Sequence, residues 1–144
     1  MSYHKLMMEN QTLFSRKLFE KLENHKLTSG QPKILEYLKE HDGAVQKDIA
    51  CACQIEPATV TSLLFRMEKN NLVERRMKKG DRRFLCTYLT ENGEREAQSV
   101  AESFESTECI ALNGFSKEEK EKFIYFLEKV NKNLKGAKEE MSNE

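Results

Sequence analysis

A mainly α-helical chain with one small β-wing is predicted by three observations. Apolar residues recur at helical spacing through most of the 144 residues, strand-like alternation is confined to the stretch between Leu72 and Leu89, and a turn rich in cations interrupts that stretch. A short helix opened by Pro57, followed at once by such a hairpin, is the arrangement of a winged helix-turn-helix, here with further apolar helices at both ends. The expected organisation is an N-terminal dimerisation helix over residues 1–27, a winged helix-turn-helix over 28–92 and C-terminal dimerisation helices over 93–144.

The first helix is predicted from Tyr3 to Asn24, with Leu6, Met7, Leu13, Phe14, Leu18 and Leu22 inward. Thr28 or Ser29 can cap a second helix, which has Pro32 in its first turn, buries Ile34, Leu35 and Leu38, and ends before Asp42-Gly43. A short third helix covers Gln46 to Gln54. The fourth opens at Pro57, whose missing N–H would be unpaired in a first turn anyway, and Val60, Leu63, Leu64 and Met67 make its apolar face. After Asn70-Asn71, two strand-like runs, Leu72 to Met77 and Phe84 to Leu89, flank a turn containing Gly80 and Asp81. Thr90 caps a long fifth helix through Ala97, Val100, Ala101 and Phe104. Asn113-Gly114 separates it from a sixth, for which Ser116 and Glu119 form a capping box and which turns Phe123, Ile124, Leu127, Val130 and Leu134 inward.

The first, fifth and sixth helices carry apolar stripes but no compact core of their own, which predicts association with a second copy; the alternative is that they close a monomeric bundle. A twofold pair would present two reading helices about one turn of DNA apart.

Composition is that of an ordinary folded chain, 38% hydrophobic and 33% charged. No apolar run approaches the length of a membrane span, and Met1 to Leu6 lacks the apolar core of a signal peptide, so a cytoplasmic protein without membrane partners is expected. The formal net charge is zero, which by itself argues against a nucleic-acid partner. Its distribution argues the other way. From Arg66 to Arg83 eight cations stand against three acids, whereas from Glu91 to the last residue eight cations stand against thirteen acids. A basic reading segment with an acidic remainder binds phosphates on one surface only. On the fourth helix, Thr59, Ser62 and Arg66 occupy the face left over by the apolar one and can reach base edges and phosphates.

Thr59-Val60-Thr61, Leu63-Leu64, Met67-Glu68-Lys69, Leu72-Val73-Glu74-Arg75, Asp81-Arg82-Arg83 and Leu89-Thr90-Glu91-Asn92-Gly93 follow one another in order and spacing. Upstream stand Leu27-Thr28, Gln31, Ile34-Leu35, Leu38 and Lys47-Asp48-Ile49-Ala50. In this ordered set the chain resembles the multiple-antibiotic-resistance regulator (MarR) family of bacterial transcription factors, over Leu27 to Gly93 by motif and over the whole chain by helix layout. The resemblance implies a twofold homodimer on a pseudo-palindromic double-stranded DNA operator, acting as a repressor released by a small effector, often an aromatic or phenolic acid, bound between the dimer helices and the reading domain.

It further implies that Arg83 enters the minor groove at the wing tip with Asp81 holding it or a neighbour, and that Lys78, Lys79 and Arg82 meet phosphates. Thr61 and Ser62, in the first turns after Pro57, and Lys47 and Arg76 complete the expected DNA-contacting set. Ser62 departs from the family's frequent Arg or Lys, which weakens any claim of a strong guanine contact. Phe65 stands where the family usually has an acid; it either packs sideways on the domain, the expectation here, or touches a thymine methyl. Val45 replaces the family's usual capping Thr or Ser, so the third helix should start with a weaker cap. Phe14, Arg16, Lys17 and Tyr37 are the residues expected to line the effector crevice.

Four cysteines lack the framework of a secreted disulfide scaffold. They open a second reading, a thiol-based oxidant sensor. Cys51 and Cys53, two apart on a helix, point to nearly opposite sides; Cys53 belongs with Ile49 in the core and Cys51 faces solvent. Cys109, on the expected dimer helix, and Cys51 are the candidate redox thiols. An enzyme finds little support: His4, His25 and His41 have neither triad nor ligand spacing, there is no phosphate-binding glycine loop, and Cys-x-Cys is weak evidence for zinc. No cofactor, metal or catalytic residue is expected. A winged helix that binds only protein, the remaining alternative, would have a wing without excess cations.

Overall fold

The computed structural model describes the backbone of residues 1–78 and 81–142 and the side chains of residues 1–77 and 85–137. The elements run α1 (Tyr3–Lys21), a 3-10 turn (Glu23–His25), α2 (Gln31–Glu40), β1 (Ala44–Val45), α3 (Gln46–Cys53), α4 (Pro57–Lys69), β2 (Val73–Lys78), β3 (Asp81–Leu89), α5 (Glu91–Ala111) and α6 (Lys117–Ser142). The chain divides into two compact units, Met1–Thr107 and Glu108–Glu144. Among the described residues no helix is long and apolar enough to cross a membrane.

The core of the first unit forms where the predicted apolar faces converge. Ile34, Leu35 and Leu38 of α2, Ile49 of α3, Val60, Leu64 and Met67 of α4, and Ala97 and Val100 of α5 are fully shielded from solvent. Each has the i, i+3 or i+4 spacing that lays apolar side chains along one helix face. From α1 only Leu18 joins them, with Leu22 just beyond the helix; Leu6, Met7 and Leu13, expected to point inward, are exposed. The predicted stripe is present, but its first half is left exposed by the described residues of the first unit.

Several boundaries differ from the sequence expectation. α1 stops at Lys21 rather than Asn24, and the chain continues as a 3-10 turn that Lys26 ends in the left-handed region. Neither Thr28 nor Ser29 caps α2. Gly30 does, at φ 92°, a conformation glycine adopts without steric cost, while the buried Gln31 turns its side-chain oxygen back to accept the Thr28 N–H at 3.2 Å. α5 ends at Ala111, two residues before the Asn113-Gly114 expected to separate it from α6. Val45 precedes α3 with no side-chain capping bond, as anticipated.

The sheet has three strands in the order β1-β3-β2, all antiparallel. β1 was not anticipated: two residues carry no periodicity, and Ala44 and Val45 become a strand only because Thr87 and Cys86 of β3 lie opposite. Its neighbour β2 pairs Val73 with Leu89 and Arg75 with Thr87.

Two predicted caps are present. The Thr90 hydroxyl accepts the Gly93 N–H at 2.9 Å and donates to the Asn71 carbonyl at 2.6 Å, tying the start of α5 to the turn before the wing. At α6 the reciprocal bonds of the capping box are made, Ser116 N–H to Glu119 Oε1 at 2.9 Å and Glu119 N–H to Ser116 Oγ at 3.1 Å, and the first of these holds the Glu119 carboxyl below its usual range. A further contact was invisible in the sequence: His25 Nδ1 lies 2.7 Å from Glu96 Oε2, joining the 3-10 turn to α5 in a half-buried pair.

Candidate nucleic-acid interface

α3 and α4 are joined by a tight turn in which Gln54, in the left-handed region, closes α3 through bonds from its N–H to the Ala50 and Cys51 carbonyls. Pro57 then opens α4 at a first-turn position where its missing N–H has no structural cost. With Val60, Leu63, Leu64 and Met67 buried, a helix turning roughly 100° per residue puts the outermost line of α4 at Ala58, Ser62, Phe65 and Lys69. All four are exposed.

The predicted contact residues are distributed around that line. Ser62 lies on it; Thr59 and Arg66 stand on one flank and Thr61 on the other, all exposed. Thr61 is already engaged: its hydroxyl bonds the Pro57 carbonyl at 3.1 Å and also meets Gln46 Nε2, so it bridges α4 to the first residue of α3. Its one proton being committed, it faces a ligand as an acceptor. Lys47, beside Gln46, is exposed at the start of α3. Phe65 does not pack sideways, contrary to expectation. Its ring is 50% exposed, with the Lys69 ammonium 4.4 Å from the ring centroid, a cation–π arrangement.

On the wing, Arg76 is exposed, bonded to Glu74 at 2.9 Å and stacked 4.6 Å from the Tyr88 ring centroid. The Glu74 carboxylate, above all through that hydrogen bond, strengthens the hold of the Arg76 guanidinium on its proton. Arg75, absent from the predicted set, donates from Nε to Glu68 at 2.9 Å and so ties β2 to the end of α4. The side chains of Lys78, Asp81, Arg82 and Arg83, and Lys79 altogether, lie outside the described residues.

A second feature of the first unit is a cavity of about 410 Å³ bounded by α1, the start of α2 and α5. Phe14, Leu18, Phe19, Pro32 and Phe104 supply its apolar walls, Asn10, Gln11, Ser15 and Ser29 its polar groups, and Lys33 is the one charged group among the described residues that line it. The Phe14 and Phe104 rings lie 6.3 Å apart, centroid to centroid. Of the four residues expected in an effector crevice, Phe14 lines this cavity. Arg16 and Lys17 are exposed on the outer side of α1, with Lys17 bonded to Glu20, and Tyr37 stacks on His41 beside a different hollow. Phe19, Lys33 and Phe104 were missed because they come from three helices distant in sequence.

The thiols divide as helix geometry requires. Cys51 and Cys109 are exposed, Cys53 and Cys86 buried, and no disulfide is formed. Burial pushes the Cys53 thiol up from its ordinary value, with nearby Lys33 opposing, so it stays protonated at neutral pH and chemically quiet.

Comparison with known proteins accords with this geometry. The MarR family model matches residues 27–84. The chain is 32% identical to the uncharacterized HTH-type transcriptional regulator YwoH of Bacillus subtilis over 130 residues, covering 87% of this chain and 94% of that one. It is 29% identical over 98 residues to the HTH-type transcriptional repressor MdtR of the same organism, covering 66% of this chain and 63% of the repressor's length. The DNA complex of MepR from Staphylococcus aureus superposes with a TM-score of 0.85 at 29% identity, over 93% of this chain and 99% of that one. The chain belongs to the MarR family of DNA-binding, winged helix-turn-helix transcriptional regulators.

Proposed function

We propose that this regulator is a homodimeric repressor that grips a pseudo-palindromic operator with two copies of α4 and the wing, and releases it when a small effector enters the cavity between α1, α2 and α5. The observation that carries the reading is the set of exposed cations Lys47, Arg66, Lys69 and Arg76 with the exposed hydroxyls Thr59, Thr61 and Ser62, beside a wing whose sequence is rich in cations, in a chain of zero net charge. The exposed apolar residues of α1 and α6 support a dimer, and MdtR, a repressor, and MepR, a regulator of the multidrug efflux pump MepA, support the mode of action. With the Lys33 ammonium at the cavity and phenylalanines on its walls, an aromatic acid is the effector class that fits.

Binding to a duplex from the protein's own promoter region should be steeply salt-dependent. Neutralising six or more phosphates implies a loss of about 10³-fold between roughly 50 and 200 mM salt, and Arg83→Ala, which removes the expected wing-tip arginine, should cost roughly 10- to 100-fold. Fluorescence anisotropy across a salt series measures both. A flat salt profile, or an Arg83→Ala variant with parental affinity, would refute the assigned role.

Exposure of Cys51 and Cys109 supports a second reading, release by oxidation. The two separate on one experiment: a Cys51→Ser, Cys109→Ser double variant should still be released by an aromatic acid and be indifferent to peroxide. Loss of peroxide-driven release in that variant, with no aromatic acid acting on the parent, would favour the thiol sensor.

A further inference from the structure

The outermost line of α4 has an unusual chemistry for a DNA-reading surface. Ala58 and Phe65 are apolar, Ser62 offers one hydroxyl, and Lys69 is a cation already placed over the Phe65 ring at 4.4 Å. None of the four is an acid that could accept from cytosine or an amide that could pair with adenine. Glu68, the one acid of α4, is held by Arg75 at 2.9 Å off this line. A phenylalanine 50% exposed here adds nothing to the core, which Val60, Leu64 and Met67 complete without it. In the major groove the one apolar group a base edge presents is the C5 methyl of thymine.

We propose that Phe65 is a specificity-determining residue that reads a thymine methyl, with Lys69 holding the ring from its far side and meeting the neighbouring phosphate. The ring offers one face to the ammonium and keeps its edge and other face for a methyl group. The exposed cations Arg66, next to it on α4, and Lys69, over its ring, favour DNA over an apolar protein surface as the occupant. The proposal rests on the DNA-reading role of α4.

The test uses the full-length chain and the duplex it enriches most strongly from a randomised pool. That duplex is remade with deoxyuridine in place of thymidine, one position at a time, which deletes the methyl and leaves every hydrogen-bonding group in place. The parent protein should bind about 4-fold more weakly when the critical thymidine is replaced, the affinity equivalent of one buried methyl group. Phe65→Ala should melt like the parent, bind the thymidine duplex more weakly, and no longer distinguish thymidine from deoxyuridine there. Indifference of the parent at every position would overturn the proposal without any variant being needed, as would an unaltered thymidine preference in Phe65→Ala. Enrichment of no duplex at all would remove the reading role of α4 and the Phe65 assignment with it.

Discussion

Gly93→Ala is expected to destabilise the first unit by about 3 kcal/mol or more, the upper end of what overpacking costs. Gly93 lies in the first turn of α5, where the helix leaves the wing and crosses directly over Leu72. A β-carbon built there would stand 1.9 Å from the Leu72 carbonyl oxygen and 2.9 Å from its carbon. Those are backbone atoms, so no side chain can swing aside to make room. The Leu72 carbonyl also accepts the Thr90 N–H at 3.1 Å, and Thr90 caps α5 through Gly93, so a displaced α5 would lose its anchorage to the wing as well. In thermal denaturation the variant should melt roughly 10 °C below the parent, taking about 3 °C per kcal/mol for a chain of this size. A shift of only a degree or two would mean that the two backbones part easily and that the close approach is not required.

Removal of α6 is expected to abolish dimerisation and lower operator affinity by about 10²- to 10⁴-fold, the span that separates bivalent from single-site binding. Phe126 and Leu134 are 57% and 62% exposed, and none of the described residues of α6 is buried. Large apolar side chains are worth about 1.5 to 3 kcal/mol each when fully buried, so a helix carrying Phe123, Ile124, Tyr125, Phe126 and Leu134 in water has a strong drive to find a partner. The cut must be placed with care. A chain ending near Gly93 would also remove Ala97 and Val100, both fully buried, and would unfold the reading domain rather than test the dimer. A chain ending at Asn113 keeps the whole of α5. It should sediment as a monomer at micromolar concentration while retaining the fold of its first unit. Persistence of a dimer in that chain, or a monomeric full-length protein that still binds its operator tightly, would refute the proposed assembly.

How far the reading surface was legible is clearest on α4. Pro57 and the spacing of Val60, Leu63, Leu64 and Met67 located the helix and its buried side, and by subtraction the exposed one. Thr59, Ser62 and Arg66, read as lying on that side, are all exposed, but its outermost line runs through Ala58, Ser62, Phe65 and Lys69. A phenylalanine was expected to pack, because apolar side chains usually do, and periodicity alone cannot say which apolar residue a fold leaves in solvent. The Arg75 to Glu68 bond and the His25 to Glu96 pair escaped for a different reason, since each joins elements whose approach no local pattern encodes.

By itself the sequence determined the six α-helices among the described residues, the hairpin, the caps at Thr90 and Ser116 and the basic character of the reading segment, because each of these follows from neighbours within a few residues: a period of 3.6 or 2, a hydroxyl ahead of free N–H groups, a run of cations. The tertiary structure alone decided that Ala44 and Val45 become a strand, that Leu6, Met7 and Leu13 stay uncovered, and that Phe14, Lys33 and Phe104 share one cavity. These depend on how distant elements pack, and packing is decided jointly by the whole core rather than by any one stretch of chain.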